Sequence, residues 1–177
     1  MPLLLRGWIV EVLKAHPGVT DLACRQRAKL EGWLKFELAQ QLIKAGATNL
    51  EVEPGYKSGE RCDLAFTCEG QRYAVELKTA NTNFRLPGVA PLMRPITMNL
   101  DAVARDVSKL RSFGCPGLAA FVLFPIPPGD ERWKEYVLRI ANKTEGPGDP
   151  GEYSTVYATK LESGHDCEMV VTVLPVA

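Results

Sequence analysis

The chain has 177 residues, 46% of them hydrophobic and 24% charged, with 21 Lys plus Arg set against 21 Asp plus Glu. That composition is globular, with enough apolar content for a core, and it excludes a disordered chain. The zero net charge excludes attraction to nucleic acid or an anionic membrane through charge as a whole, so any such partner must be met by a local patch.

In chain order, Leu3–Ala15 carries Leu5, Trp8, Ile9, Val12 and Leu13 at helical spacing, and His16-Pro17-Gly18 stops it. With Thr20 or Asp21 as N-cap, a second helix is predicted to run to about Ala45, ended by Gly46. Leu30, Leu34, Leu38 and Leu42 step by four, a stripe suited to lie on a sheet. Asn49–Pro54 reads as a short strand and Gly55–Glu60 as a polar connection. Arg61–Thr79 alternates with period two on both sides of Glu69-Gly70-Gln71, the signature of a hairpin. Ala80–Met98, with Pro87, Pro91 and Pro95, reads as a long loop. Asn99–Phe113 is helical, with Leu100, Val103, Ala104, Val107 and Leu110 inward. Leu118–Ile126 is almost continuously apolar, the pattern of a strand covered on both faces. Glu131–Ala141 is a further helix, Gly146–Gly151 a turn, and Tyr153–Thr159 and Glu168–Val173 two last strands. This order predicts one domain, an α/β sandwich around a mixed sheet.

The five cysteines (Cys24, Cys62, Cys68, Cys115 and Cys167) form no C-x-x-C pair and read as reduced, mostly buried thiols of a cytoplasmic protein. No run is apolar enough to span a membrane, and the apolar start meets Glu11 without a small-residue cleavage site, so no signal peptide is expected.

The hairpin carries the chemistry. Closing it through Cys68 and Gln71 sets Asp63 across from Glu76, with Lys78 on the same face; a one-residue slip would throw Asp63 to the other side. Two carboxylates and an ammonium on one face are costly unless a cation or substrate uses them. Paired carboxylates suit Mg²⁺ or Mn²⁺, the Leu77 carbonyl adds a third oxygen, and Lys78 can orient a water or polarise a phosphate. The structural alternative is a surface ion pair on a solvated sheet. Arg85, Arg94, Arg105, Lys109 and Arg111, set against Asp101 and Asp106, form a basic segment able to contact phosphates, or else a solvated helix face and loop. Asp106 and Lys109, three apart, read as a structural pair. Trp33 and Phe36 read as core before base-stacking groups, and Cys115 with His165 is a remote alternative nucleophile pair.

Asp63 followed by Glu76-Leu77-Lys78 resembles the PD-(D/E)xK nuclease superfamily, over roughly residues 30–126. The resemblance implies the restriction-endonuclease-like fold: a three-layer sandwich with a central mixed sheet flanked by helices, the helix at 3–15 and the segment 131–174 being additions. It implies hydrolysis of phosphodiester bonds, in DNA before RNA, with Mg²⁺ or Mn²⁺ held by Asp63, Glu76 and the Leu77 carbonyl, and Lys78 catalytic. Such nucleases often add a Glu from the first core helix. Glu37 is placed first by its distance from Gly46, with Glu31, on the leucine stripe, a near equal. Asp106, Lys109 and Leu110 sit on the later helix as in many members, whereas Cys62 stands where the motif's name has Pro. The expected partner is nucleic acid, with a homodimer or an external specificity partner, and no membrane. The rival reading is a catalytically inactive module of the same fold that binds nucleic acid or protein.

Overall fold

The structure, a computed structural model, describes residues 1–55, 59–91, 96–143, 149 and 151–176. Among these, the elements run α1 (Pro2–Ala15), α2 (Pro17–Gln26), α3 (Glu31–Lys44), β1 (Thr48–Val52), β2 (Leu64–Cys68), β3 (Gln71–Asn81), α4 (Ile96–Leu110), β4 (Gly117–Ile126), α5 (Trp133–Lys143), β5 (Ser154–Lys160) and β6 (Asp166–Val176). A 3-10 turn at Arg111–Phe113 closes α4. Most of the turn expected at Gly146–Gly151 lies outside the described residues.

The described strands form one six-stranded sheet in the order β1-β2-β3-β4-β6-β5. It is mixed: β3 and β4 are parallel, and every other neighbouring pair is antiparallel. The parallel pair needs a crossover, and α4 supplies it. Helices α1, α2 and α3 contact one another or the sheet, while α4 packs on β3, β4 and α5. Lys78 of β3 reaches Asp106 of α4, whereas Asn81, three residues on, reaches the carbonyl of Arg27 between α2 and α3. Odd spacing along a strand means opposite faces, so the two helix groups cover opposite sides of the sheet. The expected α/β sandwich around a mixed sheet is what forms. β4 is buried at every position, as its unbroken apolar run requires.

The β2–β3 turn fixes the register. Glu69 and Gly70 both have positive φ, 50° and 77°, the conformation of the two-residue turn that matches strand twist. Cys68 pairs with Gln71 and Leu64 with Val75, the register predicted from the sequence.

The single helix expected from Thr20 to Ala45 is two. Arg27 adopts a left-handed conformation (φ 51°) that ends α2, and α3 starts at Glu31. Its guanidinium, buried, donates to the carbonyls of Thr82 (2.5 Å), Phe84 (2.5 Å) and Ala90 (2.6 Å). These bonds to the loop after β3 offset the left-handed strain that a non-glycine residue carries. Pro17, expected as a stop, opens α2, where its missing N–H costs nothing. Thr20 and Asp21 lie inside α2 and do not cap it; Asp21 accepts from Arg25 and from the Glu162 N–H.

Candidate active site

β3 outruns β2. Their ladder ends at Leu64 and Val75, with one further bond from the Asp63 N–H to the Val75 carbonyl at 3.0 Å. Beyond it, among the described residues, no strand lies on the β2 side of β3. Two carboxylates take the lane instead: Asp63 Oδ2 accepts from the Leu77 N–H at 2.8 Å, and Glu31 Oε2 accepts from the Thr79 N–H at 3.2 Å. A strand residue presents its N–H and C=O to the same side, so the Leu77 carbonyl faces this open edge between them.

Three lysines close around the carboxylates. Lys35 Nζ lies 3.3 Å from Asp63 Oδ1 and 2.5 Å from Glu53 Oε1. Lys78 Nζ lies 2.7 Å from Asp106 Oδ2 and 3.5 Å from Glu31 Oε1. Lys109 Nζ takes the other oxygen of Asp106 at 2.6 Å. Burial works against the charge of Lys78, but the hydrogen bond to Asp106 and the nearby carboxylates outweigh it and raise its pKa. Burial likewise opposes the charge of Asp106, and the bonds from Lys109 and Lys78 reverse the balance and hold its pKa low.

Glu76 is the exception. Its carboxylate makes no hydrogen bond or ion pair with the described residues. Burial, then the charges of Asp63 and Asp106, push its pKa up to about 8, against the pull of Lys109 and Lys78. Five carboxylates (Glu31, Glu53, Asp63, Glu76 and Asp106) thus meet three ammonium groups, an excess of two negative charges that a proton on Glu76 relieves in part.

The structure therefore brings Asp63, Glu76, Lys78 and Glu31 together, with Lys109 at the margin. Glu37 is elsewhere, 3.4 Å from His16 Nε2, and His16 stacks edge-on against Trp33. Two residues past Lys35 is about 200° round a helix, so α3 cannot aim both at the same edge. The other described members of the basic segment disperse. Arg85 is exposed on the loop after β3. Arg105 lines a shallow hollow with Asp101 and Lys143, and Arg111 lines another with Cys115 and Val176. Arg94 lies outside the described residues. Phe36 is exposed, not core, and His165 hydrogen-bonds Ser163 in the β5–β6 turn, no partner of Cys115. All five cysteines are free thiols, three of them buried.

Sequence reasoning missed Lys35, Glu53 and the Lys78–Asp106 pair. Lys35 follows Glu31 by four, the spacing that puts two side chains on one helix face, and could have been found. Nothing local marks Glu53.

Among the described residues no three His, Cys, Asp or Glu side chains gather at metal-holding distance. What the edge offers is two carboxylates and a carbonyl. Those are hard donors, and Mg²⁺ commonly takes only one or two protein carboxylates, completing its shell with water and substrate phosphate. The donor set fits such an ion. No family model matches the chain, and no curated protein or solved structure does. No helix of the described residues is long and apolar enough to cross a membrane.

Proposed function

We propose that this protein is a divalent-metal-dependent nuclease of restriction-endonuclease-like architecture, hydrolysing phosphodiester bonds, DNA before RNA. The observation that carries the reading is Glu76: a half-buried carboxylate without a partner among the described residues, beside Asp63, at a strand edge within the field of Lys78. A part-buried acid whose pKa is raised by burial and by a neighbouring carboxylate is the kind of group that marks a functional site. The antiparallel β1–β2–β3 meander, the α4 crossover and the parallel β4 support it, being the arrangement that the Asp63/Glu76-Leu77-Lys78 resemblance implies.

Asp63, Glu76 and the Leu77 carbonyl would hold Mg²⁺ or Mn²⁺. Bound there, the ion would polarise a phosphate oxygen and lower the pKa of a water. To serve as a ligand Glu76 would have to give up its proton. Lys78, kept charged by Asp106 and Glu31, faces the charge that builds on the scissile phosphate. Lys109 extends positive charge along the same margin. Cutting both strands of a duplex takes two such sites, which a homodimer or an external specificity partner would supply.

The test is cleavage of single- and double-stranded DNA and RNA with Mg²⁺ or Mn²⁺, with chelator, and with Lys78→Ala. The expected result is ion-dependent cleavage that falls about 10²–10³-fold in the variant. Wild type and Lys78→Ala behaving alike, without ion binding, would sink the reading. A second reading, a binding module without turnover, is favoured by one observation: every carboxylate of the cluster except Glu76 already has a partner. It predicts nucleic-acid binding that weakens steeply with salt and no cleavage.

A further inference from the structure

Lys35 is only 8% exposed, on a helix whose inward stripe is Leu34, Leu38, Ala39 and Leu42. Lysine is almost never buried so far unless it is paired, and this one is paired twice. Glu53 holds one side of its ammonium and Asp63 the other. The main chain ties the same two acids together, since the Glu53 N–H donates to the Asp63 carbonyl at 3.0 Å. Asp63 is thereby fixed at both ends of its carboxylate, Oδ1 by Lys35 and Oδ2 by the Leu77 N–H.

An oxygen with one donor on it retains a second lone pair. Asp63 is therefore pinned without being used up. With one anchor lost, the carboxylate could turn about the remaining bond, and its aim toward Glu76 would be lost with it. Lys35 is largely covered, and both groups that its ammonium meets are acids of this chain, so its effect on the site runs through Asp63.

We infer that Lys35 is a positioning residue, an internal clamp from α3 that holds the Asp63 carboxylate in the one orientation from which it serves the site with Glu76. The inference rests on the nuclease reading above. It adds a cation that is built into the site and never meets substrate. Its removal has two opposed consequences: Asp63 loses its orientation, and the site loses a positive charge that competes with a divalent ion.

The experiment compares wild type, Lys35→Met and Glu53→Gln, each checked for folding at the assay temperature by thermal melt. Glu53 is largely exposed, so its variant folds even if Lys35→Met is too unstable to assay. Mn²⁺ binding is read by the electron-spin resonance of free Mn²⁺, and cleavage as kcat and KM at saturating Mn²⁺. The expected result for Lys35→Met is a fall in kcat of about tenfold to 10²-fold, the size of effect a small misplacement of a site group produces. KM should stay within about twofold and Mn²⁺ should bind no more weakly than in wild type. Glu53→Gln should lower kcat about threefold in the same pattern, through a less fixed ammonium. A folded Lys35→Met, or failing that Glu53→Gln, with wild-type kcat overturns the inference and leaves the nuclease reading standing. So does a rise in KM, which would make Lys35 a substrate contact, or a joint loss of Mn²⁺ binding and kcat, which would make it a scaffold residue. A wild type that neither binds Mn²⁺ nor cleaves overturns the nuclease reading itself, and the clamp with it.

Discussion

β3 and β4 lie side by side, parallel and in register from Ala74–Gly117 to Asn81–Phe124, yet they carry opposite chemistry. β4 is buried and apolar almost throughout; β3 presents Glu76 and Lys78 from its middle. The difference lies in their outer neighbours. β4 is flanked by β3 and β6, so its backbone is satisfied by strands and its side chains meet helices. β3 loses β2 after Val75, and its next free amides must be met by something else. Here they are met by Asp63 and Glu31. An interrupted ladder makes room for carboxylates that a complete sheet would exclude.

The comparison can be broken from either side. The largest effect belongs to β4: Leu123→Ala, fully buried across from Ala80, should cost about 2–5 kcal/mol in denaturant unfolding, as cavity-forming changes do. If Leu123→Ala were as mild as a surface change, β4 would not be the closed partner described. Next is Asp63→Asn. Its amide would present a donor to Lys35 or to the Leu77 N–H, costing about 1–3 kcal/mol and removing ion-dependent cleavage.

Glu76→Gln sharpens the contrast through pH. The folded protein keeps on Glu76 a proton that the unfolded chain has released, between the ordinary carboxylate value of 4.5 and about 8. A raised acid pKa therefore takes stability away as pH rises through that window. Glu76→Gln should melt higher than wild type at about pH 8.5, by roughly 2–4 °C per kcal/mol recovered, with a smaller gap near pH 5. An equal gap at both values would show that Glu76 is not the group that carries the proton. The smallest effect is expected from Glu37→Gln, within about 0.5 kcal/mol and with cleavage unchanged, because Glu37 faces His16 and not the edge.

How much of this was legible depended on whether the cause was local. The turn at Glu69-Gly70 is local, and it carried the register and so the meeting of Asp63 with Glu76. The apolar run of β4 announced its burial for the same reason. Distance from Gly46 placed Glu37 ahead of Glu31, but that distance does not say which face of α3 meets the sheet edge: Glu31 meets it, and Glu37 lies round the helix against His16. Lys35 was overlooked because a lysine beside a leucine stripe ordinarily lies in solvent, and only β1 and the segment before β2 bring Glu53 and Asp63 to it. Asp106 was read with its helix neighbour Lys109 and not with Lys78, a partner that the β3–α4 packing supplies.

Arg27 joins two scales of the chain at one position. Its own N–H and that of Ala28 fold back on the carbonyls of Ala23 and Cys24, so the stop of α2 is made locally. Its guanidinium reaches carbonyls 55 to 63 residues downstream, so the same residue moors the loop after β3 to the bend. One side chain thereby couples the helix that carries Glu31 and Lys35 to the far end of the strand that carries Glu76 and Lys78.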